Sequence, residues 1–179
     1  MTIRTAGLAD AGAIAQLHTR SWQTAYSGIL SEDFLHGALA ENRRVLWHTR
    51  LAEPERPDQC VWVDEQGGAI RAFACAFLEA DFEWGCLLDN LHVAPDLKGK
   101  GLGKLLMTVV AQRVWRCNAH GRLHLWAYEQ NMAARRFYER LGGAITECRA
   151  ELALDGTQVN AVRYCWSELS GLAGRFTTQ

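Results

Sequence analysis

The N-terminal third of the chain carries its apolar residues at helical spacing. This pattern predicts a helix from Ala11 to Tyr26, preceded by a short strand, Thr2–Thr5. The apolar positions of this helix are Ile14, Leu17, Trp22 and Ala25. Asp10 is placed to cap the helix N-terminus. A second helix is expected to begin after Ser31, and residues 43–51 either continue it or form a further helical piece.

The middle of the chain alternates short apolar runs with turn residues, which is typical of a β-sheet. The predicted strands are Cys60–Asp64, Ala69–Leu78 and Trp84–Val93. Gly67 and Gly68 lie in the turn of a hairpin formed by the first two strands. Residues 53–58 are predicted as a polar loop and residues 79–83 as an acidic turn.

The C-terminal half alternates strands and helices. The predicted elements are a helix from Leu105 that ends near Cys117–His120 with Gly121 as its stop, a strand Leu123–Ala127, a helix Asn131–Leu141, and strands Thr146–Leu154 and Val159–Ser167. The element order β-α-α-β-β-β-α-β-α-β-β predicts one α/β domain with a mixed sheet. This domain is expected to cover residues 1–170, with a tail at 171–179.

Composition narrows the class of protein. The 179 residues suit one domain, 49% of them are apolar, and the net charge of −1 gives no global attraction to nucleic acid or membrane. No apolar run approaches the length of a membrane span and no signal segment is visible, so a cytoplasmic protein is expected. The six cysteines and six histidines form neither CxxC nor HExxH, so neither a metal nor a disulfide framework is expected.

A turn rich in glycine and lysine, residues 97–104, carries the clearest chemical signal. It follows an apolar strand and precedes an apolar helix, so its backbone N–H groups and the helix N-terminus favour an anion. No Asp or Glu occurs from Leu97 to Tyr128, while Lys98, Lys100 and Lys104 lie in the turn itself. A ligand that carries phosphate groups is therefore predicted.

The spacing of this turn excludes two common phosphate sites. A P-loop needs Ser or Thr after its lysine, but Leu105 follows Lys104. A dinucleotide fingerprint needs GxGxxG and an acid about 20 residues later. The glycines here are Gly99, Gly101 and Gly103, and the next acid after Asp96 is Glu129.

The segment LDNLHVAPDLKGKGLGKLLM resembles the acetyl-CoA signature of the GCN5-related N-acetyltransferase (GNAT) superfamily, [Gln/Arg]-x-x-Gly-x-[Gly/Ala]. The match falls on Lys98–Gly103, with Lys98 in place of the usual Gln or Arg. Residues 131–143 resemble a second motif of the superfamily, N-x-x-A-x-x-x-Y-x-x-x-G-F, with Gly143 in place of the Phe. The two motifs and their strands cover about 60 residues in matching order.

The resemblance implies a fold and a reaction. The fold would be a mixed, mostly antiparallel sheet, flanked by helices and splayed between its fourth and fifth strands. The reaction would be transfer of an acetyl group from acetyl-CoA, as co-substrate, to a primary amine of a small molecule or peptide. The amine would attack directly in a ternary complex.

The resemblance also assigns the cofactor site. Its implied residues are Leu91, His92, Val93, Lys98, Gly99, Lys100, Gly101, Leu102, Gly103, Lys104 and Asn131. The backbone of the first three would bind the pantetheine arm, and six N–H groups of residues 99–104 would hold the pyrophosphate. Glycine is expected at positions 101 and 103 because a Cβ there would block close approach of the backbone to the pyrophosphate. Asn131 would touch the pantetheine arm, cap its helix, or do both.

Tyr138 stands at the family's general-acid position, where it would donate to the leaving thiolate and contact the cofactor. Some family members carry a Glu on the fourth strand as general base, but Leu87 occupies that position here. Asp89, two residues on, is the first candidate for the base, followed by Glu83 and Glu129.

Trp22 and Tyr26, four residues apart on one helix face, are the candidates for acceptor binding, and core packing explains them equally well. The identity of the amine stays open.

Two alternatives come from other functional classes. The fold could serve as an acyl-CoA sensor without turnover, although Asn131 and Tyr138 are both retained. A nucleic-acid-binding protein could use the basic stretch from Lys98 to Arg122, but that stretch lacks interleaved surface aromatics. A homodimer is possible because many members of the superfamily self-associate.

Overall fold

A seven-stranded sheet forms the centre of the computed structural model, which describes residues 2–52, 58–117 and 121–173. Its strands are β1 (Thr2–Thr5), β2 (Gln59–Gln66), β3 (Ala69–Asp81), β4 (Gly85–Val93), β5 (Leu123–Tyr128), β6 (Ala144–Leu152) and β7 (Gln158–Trp166). Their order in the sheet is β1-β2-β3-β4-β5-β7-β6. Neighbouring strands are antiparallel except for the parallel pair β4 and β5.

The helices of the described part flank this sheet. They are α1 (Ala11–Ala25), α2 (Leu39–Ala52), α3 (Leu102–Cys117), α4 (Met132–Arg140) and the short α5 (Ser170–Ala173). A π-helical turn, Phe34–Ala38, leads directly into α2, so residues 43–51 continue the second helix. The second helix begins after Ser31, as expected, and Ser31 caps it, because its Oγ accepts the Phe34 N–H at 3.3 Å.

Three local predictions are wrong in detail. The acidic turn is shorter than predicted because Asp81 still pairs with Gly85 in the β3–β4 hairpin, and the turn itself is Phe82–Trp84. Helix α3 begins three residues before Leu105, since the Leu105 N–H already donates to Gly101 O at 3.0 Å. Asp10 precedes α1, but its carboxylate accepts from Arg4 and from the Gly7 N–H rather than from α1.

Residues 53–57 of the loop predicted at 53–58, the helix end at 118–120 and residues 174–179 of the predicted tail lie outside the described residues. The first residues of that predicted tail belong to α5, and Leu172 packs into the α3 core. Within the described part, no helix has the length and the apolar character that a membrane crossing requires.

The two faces of the sheet carry separate cores because side chains alternate along β3. Ala72, Ala74 and Ala76 pack beneath α3 in one core. Phe73 and Cys75 pack with α1 and α2 in the other. A third cluster joins the end of α1 and the start of α2 to the β6–β7 hairpin; its members include Trp22, Leu30, Leu39, Ala153 and Val159.

The parallel pair β4 and β5 is joined only at its start. Cys86 pairs with Leu123 and Leu87 with His124, after which the two strands diverge. From Leu88 to Val93, one edge of β4 therefore faces a gap in the sheet. The predicted splay between the fourth and fifth strands is confirmed.

Candidate functional site

The turn before α3 and the first turn of α3 present a group of unpaired backbone donors. Among the described residues, none accepts a hydrogen bond from the N–H groups of Gly99, Gly101, Leu102, Gly103 or Lys104. Lys100 differs from its neighbours because its N–H donates to Leu97 O at 3.4 Å. Five N–H groups, rather than the six expected from the sequence, are thus available to an anion.

The glycines of this turn are required for two different reasons. Gly99 and Gly101 have φ values of 82° and 86°, a left-handed conformation that favours glycine. Gly103 is helical, and a Cβ there would lie 3.1 Å from the Phe137 ring of α4. The Phe137 side chain is thus one group that requires glycine at position 103, and the expected approach of the Gly103 backbone to a phosphate stays a prediction.

The three lysines of the turn, Lys98, Lys100 and Lys104, are all exposed. Lys98 and Lys100 flank Gly99 in the turn, and Lys104 lies within the first turn of α3. The positive end of the helix dipole adds to these charges. The arrangement fits a ligand with several phosphate oxygens.

The gap-facing edge of β4 continues from this turn. The Ala94 N–H donates to Arg71 O at 2.8 Å, which fixes the alternation of the β3–β4 ladder. It follows that Val93, opposite Ala72, and Leu91, opposite Ala74, direct their backbone N–H and C=O groups toward the gap. Their side chains pack against the α3 core.

The backbone groups of His92 point in the opposite direction from those of Leu91 and Val93. His92 lies opposite Phe73, and the ladder turns its backbone groups toward β3 rather than the gap. Its ring hydrogen-bonds the Ser21 hydroxyl of α1 at 2.9 Å. Burial, together with the charges of Arg43 and Lys98, lowers the pKa of His92 to about 3. The expected role of the His92 backbone in cofactor binding is therefore corrected.

Asn131 lies where β5 leads into α4. Its Oδ1 accepts the Ala134 N–H at 3.1 Å, so the N-cap alternative is observed. Its side chain lies near Tyr26 of α1: burial raises the pKa of Tyr26 to about 12, and Asn131 acts to lower it.

Tyr138 lies on the inner face of α4 and is 9% exposed. Its ring packs 5.7 Å from Tyr164 and 6.1 Å from Trp166, measured between ring centroids. Among the described residues, its hydroxyl has no hydrogen-bond partner. Burial raises the pKa of Tyr138, and the nearby Tyr26 contributes in the same direction. The group is a neutral donor across the physiological pH range.

The two residues expected at the acceptor site lie in one aromatic cluster. Trp22 and Tyr26 form an edge-to-face pair at 4.9 Å, and Tyr26 contacts Tyr128 of β5 at 5.1 Å. Trp22 is buried and belongs to the third core cluster. Tyr26 is half-buried and is the member that lies near Asn131.

Sequence reasoning missed Arg43, which is 5% exposed. Its guanidinium lies 4.5 Å from the centre of the Trp22 ring. A signal was present: Leu39, Arg43 and Trp47 recur every four residues and form the buried stripe of α2. A charged residue in the middle of an apolar stripe is unusual and marks a position of interest.

The candidate bases differ in their surroundings. Asp89 is the extra residue of a β-bulge, since Leu88 pairs with Ala76 and Asn90 with Cys75. Its carboxylate forms a 2.6 Å ion pair with Arg50 of α2.

Glu83 is exposed in the β3–β4 turn, and Glu129 accepts a hydrogen bond from Asn160 Nδ2 at 2.9 Å. In the described ranges, no three His, Cys, Asp or Glu side chains group closely enough to hold a metal.

The chain resembles known proteins over this same region. Residues 14–143 match the profile of the acetyltransferase (GNAT) family. Mycothiol acetyltransferase from Acidothermus cellulolyticus is 32% identical over 104 residues, which are 58% of this chain and 30% of that protein. Peptidyl-lysine N-acetyltransferase YiaC from Escherichia coli is 34% identical over 87 residues, which are 49% of this chain and 51% of that protein. The alignments thus span about a third and half of these two relatives.

The solved structure of PaiA N-acetyltransferase from Thermoplasma acidophilum, in complex with coenzyme A, has the same fold. The two chains superpose with a TM-score of 0.67 at 18% identity. The superposition covers 90% of this chain and 98% of the other.

Proposed function

The chain belongs to the acetyltransferase (GNAT) family, and from this premise we propose that it transfers an acetyl group from acetyl-CoA to a primary amine. The acceptor would be a small molecule or a peptide, and the amine would attack directly in a ternary complex. Acetyl-CoA is the acetyl donor of the family, so the cofactor expected from the sequence is confirmed at that level. The names of the two relatives refer to different acceptors, and neither acceptor is transferred to this chain.

One observation carries the proposal: the unpaired N–H groups before α3 adjoin the strand edge that faces the sheet gap. The donors of residues 99 and 101–104 suit a pyrophosphate, and the exposed lysines supply charge beside it. Leu91 and Val93 direct backbone groups into the gap, where an amide-containing arm could pair with them. The phosphate end and the pantetheine arm of a coenzyme A ligand would therefore meet hydrogen-bond donors and acceptors one after the other along this surface.

The proposed chemistry divides between the amine and the leaving thiol. The neutral amine nitrogen forms a bond to the acetyl carbon, the carbon–sulfur bond breaks, and the amine proton passes to a base or to water. The thiolate left on coenzyme A takes a proton or a hydrogen bond. Tyr138, whose hydroxyl has no partner among the described residues, is proposed to donate to that sulfur.

Asp89 stays the first candidate for the base. It lies at the β4 bulge beside the gap, but its carboxylate already contacts Arg50. Proton transfer to Asp89 would therefore proceed through a water molecule or require this ion pair to loosen. Glu129, at the end of β5, is the second candidate, and Glu83, exposed in a turn, is the third.

The experiment is a thermal shift measurement with acetyl-CoA, with NADH and ATP as controls. At a hundredfold excess over Kd, binding adds about 2.7 kcal/mol. For a domain of this size the melting temperature would rise by about 5–10 °C. Gly101→Ala, which disturbs the turn, should lose most of this shift. The matched control Gly67→Ala also replaces a glycine of positive φ but lies in the distant β2–β3 turn, so it should keep the shift.

Turnover is then measured as thiol release with a panel of primary amines. Release that depends on both acetyl-CoA and an amine supports the proposed reaction. A shift without release for any amine would favour the acyl-CoA sensor. No shift for a folded protein would contradict the cofactor site itself.

A further inference from the structure

Arg43 is a buried cation without a counter-ion. It lies between Leu39 and Trp47 on the buried stripe of α2, and its side chain is almost entirely covered. Among the described residues, no Asp or Glu comes within ion-pair distance of its guanidinium. Its hydrogen bonds go to the neutral Oδ1 of the adjacent Asn42, with Nε at 3.1 Å.

Other covered arginines of the described part are paired with acids. The pairs are Arg50 with Asp89 at 2.6 Å, Arg71 with Asp64 at 2.6 Å, and Arg163 with Glu147 at 3.0 Å. Arg43 is more buried than any of these three and is nevertheless unpaired. Because burial of an uncompensated charge is costly, this position calls for an anion from outside the chain.

The groups around Arg43 would also favour an anion. Trp22, on whose ring the guanidinium stacks, has a buried indole N–H that lacks a hydrogen-bond partner. Tyr26 and Tyr128 lie close enough for the charge of Arg43 to act on the pKa of each, and burial raises both pKa values, so their hydroxyls remain neutral donors. The surroundings combine one fixed positive charge with several O–H and N–H groups. Asp89 acts on Arg43 and the charges of Glu151 and Asp155 act on Tyr128, but none of these three carboxylates forms an ion pair with Arg43.

This cluster lies beside the proposed reaction site. The Trp22 ring beside Arg43 lies 4.9 Å from Tyr26, and Tyr26 lies 5.1 Å from Tyr128 of β5. The Tyr128 carbonyl accepts the Asn131 N–H at 2.9 Å, so the cluster is continuous with the start of α4. On the β4 side, the charges of Arg43 and Asp89 act on each other across the α2–β4 boundary. A molecule bound by Arg43 would therefore lie next to the residues proposed for acetyl transfer.

We propose that Arg43 binds a carboxylate of the acceptor, so that the substrates are primary amines that also carry a carboxylate, as amino acids do. This inference rests on the proposed acetyltransferase function and names the substrate class of the same site. A guanidinium suits this role because its planar fork can donate two parallel hydrogen bonds to one carboxylate. Trp22, predicted from the sequence to line the acceptor site, would hold the guanidinium in place.

The experiment compares each amino acid with its carboxamide. β-Alanine, 4-aminobutyrate and L-lysine are assayed against the corresponding amides, with kcat/KM expressed per neutral amine to correct for their different amine pKa values. The wild-type enzyme is expected to prefer at least one carboxylate over its amide by about 30-fold or more, since loss of one partner of a buried charge pair is costly. The best amine-to-carboxylate spacing measures the separation between Arg43 and the reacting nitrogen.

Substitutions of Arg43 test the residue itself. Arg43→Gln should remove the preference by raising KM for the carboxylate, with little change for the amide. Arg43→Lys keeps the positive charge but loses the planar guanidinium, so this variant should retain part of the preference for the carboxylate. The matched control Arg44→Gln alters the next residue, which is exposed and paired with Glu41, and should leave the preference unchanged.

A stability measurement separates this role from a structural one. Because the unliganded Arg43 has no counter-ion, Arg43→Gln should keep the melting temperature within a few degrees of the wild type or raise it. A large decrease would point to a structural cation and contradict the proposal.

The remaining outcomes distinguish the two proposals. Turnover of amines without any preference for carboxylates would overturn the role of Arg43 and leave the acetyltransferase function intact. An equal loss of kcat/KM for the carboxylate and the amide in Arg43→Gln would also overturn the role of Arg43 and leave the acetyltransferase function intact. Binding of acetyl-CoA without turnover of any amine would contradict both.

Discussion

At the scale of single residues, burial determines what Tyr138 could do in the proposed reaction. A free tyrosine has a pKa near 10 and a thiol near 8.5, so full proton transfer to the thiolate is uphill by about 2 kcal/mol. Burial raises the pKa of Tyr138 further and makes that transfer less favourable. The same burial strengthens a hydrogen bond from its unpaired hydroxyl. We therefore expect Tyr138 to stabilise the developing negative charge on sulfur as a donor that transfers its proton late.

The substitution Tyr138→Phe tests this role because it removes only the hydroxyl. We expect kcat to fall at least tenfold, since one charge-directed hydrogen bond is lost in the transition state, while acetyl-CoA affinity holds. Steady-state kinetics and the acetyl-CoA thermal shift measure the two effects separately. Unchanged kcat would show that Tyr138 is merely a packed tyrosine. Tyr164→Phe, which alters a neighbouring tyrosine bound to Glu139 and Arg135, serves as the control.

Gly101 and Gly103 show that one residue type can be required for different physical causes. Both were expected to permit close approach of the backbone to a phosphate. The left-handed φ of Gly101 is a local property of the turn. The requirement at Gly103 comes from the Phe137 ring, 34 residues away in the sequence. Spacing alone could not distinguish these causes.

At the scale of elements, two histidines join α1, α2 and β4. His18 of α1 accepts the Trp47 indole N–H of α2 at 2.9 Å, and His92 of β4 bonds to Ser21 of α1. The two imidazole rings lie 4.4 Å apart between centroids. Burial lowers the pKa of each histidine well below 6.5, so both are neutral in the folded protein. Protonation of either ring would place a charge in the core that packs α1 and α2 on the sheet.

This junction predicts a loss of stability in acid. The unfolded chain binds a proton at each histidine with a pKa near 6.5, whereas the folded chain does so only at much lower pH. The stabilisation is therefore complete above pH 6.5 and is lost as the pH falls toward the folded pKa values. At pH 5 the expected loss from His92, whose folded pKa is about 3, is about 2 kcal/mol, and His18 adds to it in the same direction. Urea unfolding at pH 7.5 and pH 5 measures it.

Variants assign this loss to the junction. His92→Gln should reduce the difference in unfolding free energy between the two pH values by about 2 kcal/mol, even if it lowers stability at both. His48→Gln changes an exposed histidine of α2 and should leave the difference unaltered. If His92→Gln and His48→Gln gave the same pH dependence as the wild type, the buried pair would not control the acid response.

At the scale of the whole molecule, all six cysteines are unpaired thiols distributed over the fold. Cys75 and Cys86 are buried on opposite faces of the sheet, and burial raises the pKa of each to about 12. Cys117 and Cys148 are exposed. The fold is therefore held by its cores and sheet rather than by covalent links.

Thiol chemistry tests this arrangement. Because no disulfide constrains the chain, dithiothreitol should leave the melting temperature within about 1 °C, which corresponds to less than 1 kcal/mol for a domain of this size. A thiol reagent should modify Cys117 and Cys148 within the first minutes, and Cys75 and Cys86 only on unfolding, because the thiolate is the reactive form. Mass spectrometry after peptide digestion identifies the order. Early modification of Cys75 would mean that the α1–α2 face opens readily.

Much of the architecture could be predicted from the sequence because its causes are local. Period-2 and period-3.6 patterns and glycine-marked turns identified every strand and the helices α1 to α4 with nearly correct limits. Two predicted limits were wrong because backbone pairing extends an element beyond the residues that its composition indicates. Leu105 donates to Gly101, which extends α3, and Asp81 pairs with Gly85, which extends β3. The GNAT resemblance supplied the splay of the sheet, which no local pattern encodes.

By itself, the sequence determined the element order, the family and the turn that presents unpaired N–H groups to an anion. These features depend on residues near one another in the chain, so spacing and residue type suffice. Only the tertiary structure decided which groups face the gap and which buried charge lacks a partner. His92 and Val93 are neighbours, yet the β3 ladder turns their backbones in opposite directions. Arg43 is unpaired because the packing of α1, α2 and β4 surrounds it with Trp22, Tyr26 and other neighbours but brings no carboxylate into contact with it. This arrangement depends on contacts between residues that are distant in the sequence, so residue spacing cannot predict it.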